Sequence, residues 1–180
     1  MKTQTSELTI SPLKAQIYCL IPVIILIPLM LLPFHLAWEI KLSSLKTYLI
    51  SNAMSGFGLL IAGTLVHELI HGLTAVWYAG IPWKNIRFGF QWQSLTPYLH
   101  SELPTTAEKY RVVVLMPLII LGIIPYVLSI IIGSGWLLAF GIMFTVAACG
   151  DLMVIWMMRK LNAGEMVQDH PSQVGLIIKN

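Results

Sequence analysis

The chain has 180 residues, 57% of them hydrophobic and 11% charged, with a formal charge of +3. Soluble chains run at roughly 45–50% apolar and about 25% charged, so this composition excludes an ordinary soluble domain and points to a membrane protein. The basic residues are few and scattered with no interleaved aromatics, which excludes nucleic acid as a partner. Cys19 and Cys149 both sit in apolar runs and read neither as a disulfide nor as a CxxC zinc motif.

In chain order, a polar segment (1–16) precedes a first apolar run at 17–38. That run is too long for the core of a cleaved signal peptide and lacks a small-x-small exit, so it reads as a retained span. Runs at 48–79, 112–133 and 136–158 also reach the roughly 20 residues that a membrane helix needs. The second exceeds one span, so its start lies in the interface or the helix tilts. Pro22, Pro28 and Pro33 in the first run, and Pro117 and Pro125 in the third, are tolerable in a bundle, where neighbouring groups satisfy the freed carbonyls.

The fold class expected is therefore an all-α integral membrane protein. It is a four-helix transmembrane bundle (17–158) between an N-terminal segment (1–16) and a C-terminal tail (159–180), with a small β-hairpin or strand between helices 2 and 3. An even number of spans puts both termini on one side, together with Lys2, Lys14, Lys84, Arg87, Lys109, Arg111, Arg159, Lys160 and Lys179. Only Lys41 and Lys46 fall opposite, so nine of the eleven basic side chains share the termini's side. The positive-inside rule makes that side cytoplasmic in a multi-pass protein of the cell membrane. Within the segment 80–110, NIRFGFQW alternates Ile86, Phe88 and Phe90 with Arg87, Gly89 and Gln91, and LTPYLHS follows. The pattern predicts a strand or hairpin at the cytoplasmic interface. An interfacial loop anchored by Trp83 and Trp92 is the competing reading.

The second run contains HELIH, His67 to His71, an HExxH match that sets two imidazoles at i and i+4 on one helix face. Neutral imidazoles so placed can bind Zn²⁺ through nitrogen, leaving Glu68 to act on the water the metal activates. Gly63, Thr64, Thr74 and Ala75 share that face and are small or weakly polar, so another helix can approach it closely. The bland reading is a pair of core histidines hydrogen-bonded to the glutamate without metal, but ionisable groups inside a membrane are seldom idle.

A catalytic zinc needs a third protein ligand. The extended pattern H-E-x-x-H-x-x-G-x-x-H is excluded, because Thr74 and Trp77 stand where its glycine and third histidine belong. Glu102, Glu108 and Glu165 lie in polar, solvated segments. Asp151 is the only carboxylate inside the fourth run, beside Ala147, Ala148 and Gly150. On the expected topology it lies roughly 10 Å of helix from the cytoplasmic end and His71 roughly 12 Å, so the groups can meet at one depth. Its bland reading is a helix–helix hydrogen bond. His100, beside Tyr98, is an alternative ligand or a donor to a developing oxyanion. His170 in QDHPSQ reads as a solvated turn and His35 as interfacial; neither displaces Asp151.

HELIH in a membrane helix, FGFQWQSLTPYLHS in a loop, and a late GD followed by DHP resemble the small four-span zincin peptidases, catalogued as a domain of unknown function. The likeness runs from about residue 50 to the C-terminus. More distantly the arrangement is similar to site-2 proteases, although here Gly150 precedes Asp151 instead of following it. That likeness implies His67, His71 and Asp151 as metal ligands and Glu68 as the catalytic carboxylate. The expectation is a zinc-dependent membrane metallopeptidase hydrolysing peptide or membrane-protein substrates near the cytoplasmic face, with a segment held by strand addition along 86–92. A non-enzymatic metal-binding membrane protein serving assembly or transport is the alternative. A di-iron oxidase ranks below both, because it needs a second Glu-x-x-His and further carboxylates.

Overall fold

The structure is a computed structural model that describes residues 5–39, 51, 53–92, 96–171 and 173–179. Lys2, Lys41, Lys46 and the start of the second expected span lie outside the described residues. The chain runs β1 (Thr5–Ile10), α1 (Pro12–Trp38), α2 (Ala53–Trp77), β2 (Ile86–Gln91), β3 (Thr96–Ser101) and β4 (Thr105–Thr106). It continues through α3 (Ala107–Pro117), a π-helical turn (Leu118–Ile123), α4 (Ile124–Ile132), α5 (Gly135–Ala147), α6 (Cys149–Met157), β5 (Met166–Asp169) and β6 (Val174–Lys179).

Two corrections to the expected fold follow. The molecule is not an all-α bundle, because it carries a four-stranded sheet, ordered β1-β6-β5-β4, and the two-stranded hairpin β2-β3. The hairpin lies where alternation placed a strand or hairpin. The larger sheet pairs the N-terminal segment with the C-terminal tail, Leu8 opposite Leu176, and its contacts are too distant in sequence for local pattern to reveal. The second correction concerns the spans. Three helices are long and apolar enough to cross a membrane, Pro12–Trp38, Met54–Trp77 and Ala107–Ile132, whereas the fourth run is two helices, Gly135–Ala147 and Cys149–Lys160, bent by 41°. Hydropathy measures how apolar a run is and says nothing of its axis direction. The break at Ala148, whose ψ of 8° leaves the helical region, was therefore invisible to it.

The sheet collects the start of α1 through β1, the start of α3 through β4, and the chain beyond α6 through β5 and β6. The hairpin joins the same end, since the Ser101 amide donates to Asp169 Oδ2 (2.7 Å) and Gln168 Nε2 donates to the Glu102 carbonyl (2.9 Å). Beneath the sheet, Ala107, Tyr110, Val114, Val154, Met158, Val167, Leu176 and Ile178 form one buried cluster that clamps α6 against α3. A second cluster of Ala75, Ala79, Ile81, Ile86 and Val113 clamps the end of α2 against the other side of α3 and the hairpin. At roughly 1.5–3 kcal/mol for each fully buried large aliphatic side chain, these two clusters dominate the local energetics. Helix α3 is thus the wedge that sets the distance from α2 to α6.

Local chemistry finishes the frame. Helix α2 stops at Gly80, whose φ of +77° suits a residue without Cβ; the Ile81 amide bonds back to the Ala75 carbonyl and Lys109 Nζ reaches the Ala79 carbonyl. Arg111 donates to the carbonyls of Met158 and Leu161, closing the end of α6 onto α3. Higher up, the fully buried Phe144 ring of α5 occupies the space that a side chain at Gly63 would need. Gly63 therefore lies on the face of α2 that meets another helix, one turn before His67.

Candidate functional site

Histidine spacing on α2 sets the first two groups. His67 and His71 are both buried, their rings edge to face with centroids 4.8 Å apart and their Nε2 atoms 3.2 Å apart. The bend at Ala148 places Asp151 in the first turn of α6, at the helix end that favours negative charge. Its carboxylate reaches both imidazoles, with Oδ2 3.0 Å from His67 Nε2 and Oδ1 3.4 Å from His71 Nε2. Among the described residues, these three are the ones whose donor atoms converge as a metal site would require. His100 does not join them.

The lone pairs decide what such a cluster needs. His71 Nδ1 lies 2.9 Å from the Val113 carbonyl, an acceptor, so Nδ1 carries the proton and Nε2 offers a lone pair. That lone pair faces a second imidazole nitrogen and a carboxylate. Oδ2 of Asp151 is buried with no donor among the described residues unless His67 is protonated on Nε2. A single proton relieves one of the three close pairs, whereas one cation relieves all three. Of the observed separations of 3.0, 3.2 and 3.4 Å, the last lies within the spacing of zinc ligands and the other two are short of it by about 0.1–0.3 Å. Ligand atoms about 2.0–2.2 Å from a tetrahedral centre stand roughly 3.3–3.6 Å from one another. The residues present fit a zinc ion.

Glu68 points from α2 toward the hairpin, within hydrogen-bonding reach of the Leu99 backbone. It lines a cavity of about 210 Å³ together with His71, Asp151, Tyr98, His100 and His170. The cavity lies between α2, α3 and α6 on one side and β3 with the β5–β6 turn on the other. Here β3, and not β2, faces the site: Tyr98, Leu99 and His100 line the cavity, while Gln91 alone of 86–92 does so. His100 stacks on Tyr98 at 5.7 Å and 24°, and its buried Nδ1 has no hydrogen-bond partner among the described residues. Gly89 stands opposite Tyr98 in the hairpin, and a Cβ there would overlap the tyrosine ring.

The remaining sequence candidates fall elsewhere. Glu102 is exposed and paired with Arg87 at 2.7 Å, and that guanidinium holds its carboxyl below the usual range. Glu165 accepts from the Asn162 side chain and amide. Glu108 is exposed near the start of α3, and His35 is exposed in the last turn of α1. His170, read as a solvated turn, is on the cavity wall, where its Nδ1 accepts from the Gln173 amide.

Sequence reasoning missed three parts of the site. They are the Val113 carbonyl that orients His71, the cavity face of β3, and Asp169. Asp169 is half-buried between the Tyr110 hydroxyl and the Ser101 amide, and desolvation of its carboxyl raises it above the usual range against the pull of both donors. The first left a trace, since Pro117 follows Val113 by one helical hydrogen-bond step.

A family model described as "Putative zincin peptidase" matches residues 60–165, from the middle of α2 to the turn before β5. No curated protein and no solved structure matches the chain.

Proposed function

The matched segment covers more than half of the chain, which therefore belongs to the zincin peptidase family, and we propose that it is a zinc-dependent peptidase embedded in the cell membrane. His67, His71 and Asp151 hold the ion, and the observation that carries the reading is their convergence, with His71 and Asp151 on the cavity wall that also carries Glu68. Bound zinc supplies a Lewis acid and lowers the pKa of water toward neutrality. Glu68 takes a proton from the attacking water and delivers it to the leaving amine as the peptide bond breaks. His100, whose Nδ1 has no hydrogen-bond partner among the described residues, lies on the wall from which a ring N–H can donate to the carbonyl oxygen as negative charge develops. The buried clusters on either side of α3 keep lipid out of this polar pocket.

The substrate is an extended stretch of a peptide or membrane protein, lying in the cavity against β3, the strand that faces Glu68. The end of the molecule that carries the sheet and hairpin is cytoplasmic, because Lys14, Lys84, Arg87, Lys109, Arg111, Arg159, Lys160 and Lys179 gather there.

The test is metal content and hydrolysis measured together on protein purified in mild detergent. Wild type should hold about one zinc per chain and cleave an unstructured peptide mixture. Glu68→Gln should keep the zinc and lose hydrolysis by roughly 10²-fold or more. Wild-type protein without stoichiometric zinc would falsify the reading. Full zinc with unchanged turnover in Glu68→Gln would leave a metal-binding protein whose glutamate does no chemistry.

A further inference from the structure

Proline 117 sits inside a membrane-spanning helix, fully buried, at a point where the sequence has no turn to make. In a regular α-helix the carbonyl of residue i accepts from the N–H of residue i+4. For the Val113 carbonyl that donor position is Pro117, which has no N–H, and a proline ring also crowds the carbonyl four residues before it. Both effects act on one oxygen, leaving it without its regular partner and tilting it off the helix axis. That oxygen is the one 2.9 Å from His71 Nδ1. Immediately after the proline the helix widens into the π-turn Leu118–Ile123, which takes up the lost register.

We propose that Pro117 is a positioning residue for His71. By freeing the Val113 carbonyl it creates a fixed acceptor for the Nδ1 proton, which locks the imidazole in the tautomer whose Nε2 lone pair faces His67 and Asp151. Partners of this kind, behind a metal ligand, set its tautomer and its basicity. The proposal rests on the zinc-site reading given above, and it explains a proline that packing alone does not require. Pro125 serves as the internal comparison. It is buried in the same span but falls at the start of α4, and the carbonyl four residues before it, that of Leu121, has no histidine partner among the described residues.

The substitution Pro117→Ala restores an N–H that competes with His71 for the Val113 carbonyl. A helix interior gains propensity when alanine replaces proline, so thermal stability without metal should hold or rise. Zinc affinity, measured by chelator competition, should fall by roughly 10- to 100-fold. Pro125→Ala should leave it within about twofold of wild type. A structural role for Pro117 predicts stability and affinity moving together, and that outcome overturns the proposal, as does wild-type affinity in Pro117→Ala. Nitrogen-15 NMR of histidine-labelled wild type provides an independent reading whether or not the variant folds. His71 must show a protonated Nδ1 in the metal-free and zinc-loaded protein, and an unprotonated Nδ1 sinks the proposal. Absence of zinc from wild type is a different result: it removes the metal centre itself, and the proposal with it.

Discussion

Asp151 and Glu68 are carboxylates beside the same two imidazoles, yet their responses to amide substitution should differ. Asp151→Asn keeps the side-chain shape but removes the charge that faces both Nε2 atoms at 3.0 and 3.4 Å. Zinc affinity in Asp151→Asn should therefore drop by more than about 100-fold, beyond the roughly 10- to 100-fold that loss of an outer partner causes. Hydrolysis should fall with occupancy and recover in part with excess zinc. Titration against a chelator checks this, and full occupancy in the variant would remove Asp151 from the ligand set. His67, Glu68 and His71 were legible in the sequence because a four-residue step on a helix fixes relative position with no tertiary information. Asp151 could be matched to them only by depth along two helices. The Val113 carbonyl left only the indirect trace of Pro117 four residues on, because a backbone carbonyl carries no sequence signature of its own.

Among the elements, the hairpin β2-β3 illustrates how a strand pattern conceals function. Alternation in NIRFGFQW drew attention to the large residues Ile86, Phe88 and Phe90, but Phe88 and Phe90 are exposed and β2 is turned away from the site. The small residue matters more. Gly89 lets the Tyr98 ring lie across the hairpin, and that ring is the platform on which His100 stacks. Gly89→Val should be tolerated by the strand, since valine is the better strand former. It should nonetheless displace the tyrosine and lower turnover by on the order of 10²-fold, the usual effect of misplacing a reacting group by about 1 Å. Zinc content should not change. The informative comparison is turnover against metal content, and a variant that keeps wild-type turnover would mean His100 needs no platform. Bending of the fourth apolar run belongs to the same scale, for the break that aims Asp151 at α2 falls inside a run of uniform hydropathy.

At the scale of the whole molecule, the terminal sheet and the hairpin are joined through Asp169, which ties β5 to β3 and to α3 across the cavity. Burial raises the Asp169 carboxyl above its ordinary value, so the folded protein binds that proton more tightly than the unfolded chain does. The sign follows from linkage. Where the folded state binds more protons, stability falls as pH rises, here from the ordinary aspartate value of about 3.9 up to the raised folded value. Asp169→Asn keeps an acceptor for the Ser101 amide and removes the titration. As pH rises above about 4 the wild type should lose thermal stability relative to Asp169→Asn, with the two curves converging toward acid. Parallel melting curves in detergent across that range would rule out Asp169 as the source.

By itself the sequence determined what short range can determine: apolar runs of spanning length, the HExxH face, the hairpin between the second and third runs, and membership in a zincin family. These are properties of composition and of periods within a few residues. Tertiary structure decided the rest. It paired the two chain ends into a sheet, bent the last apolar run, turned β3 toward Glu68, and brought Asp151 and the Val113 carbonyl to the histidines. Each of these depends on contacts between residues far apart in sequence, made when α3 wedges between α2 and α6, and no local pattern of side chains encodes a distance between helices.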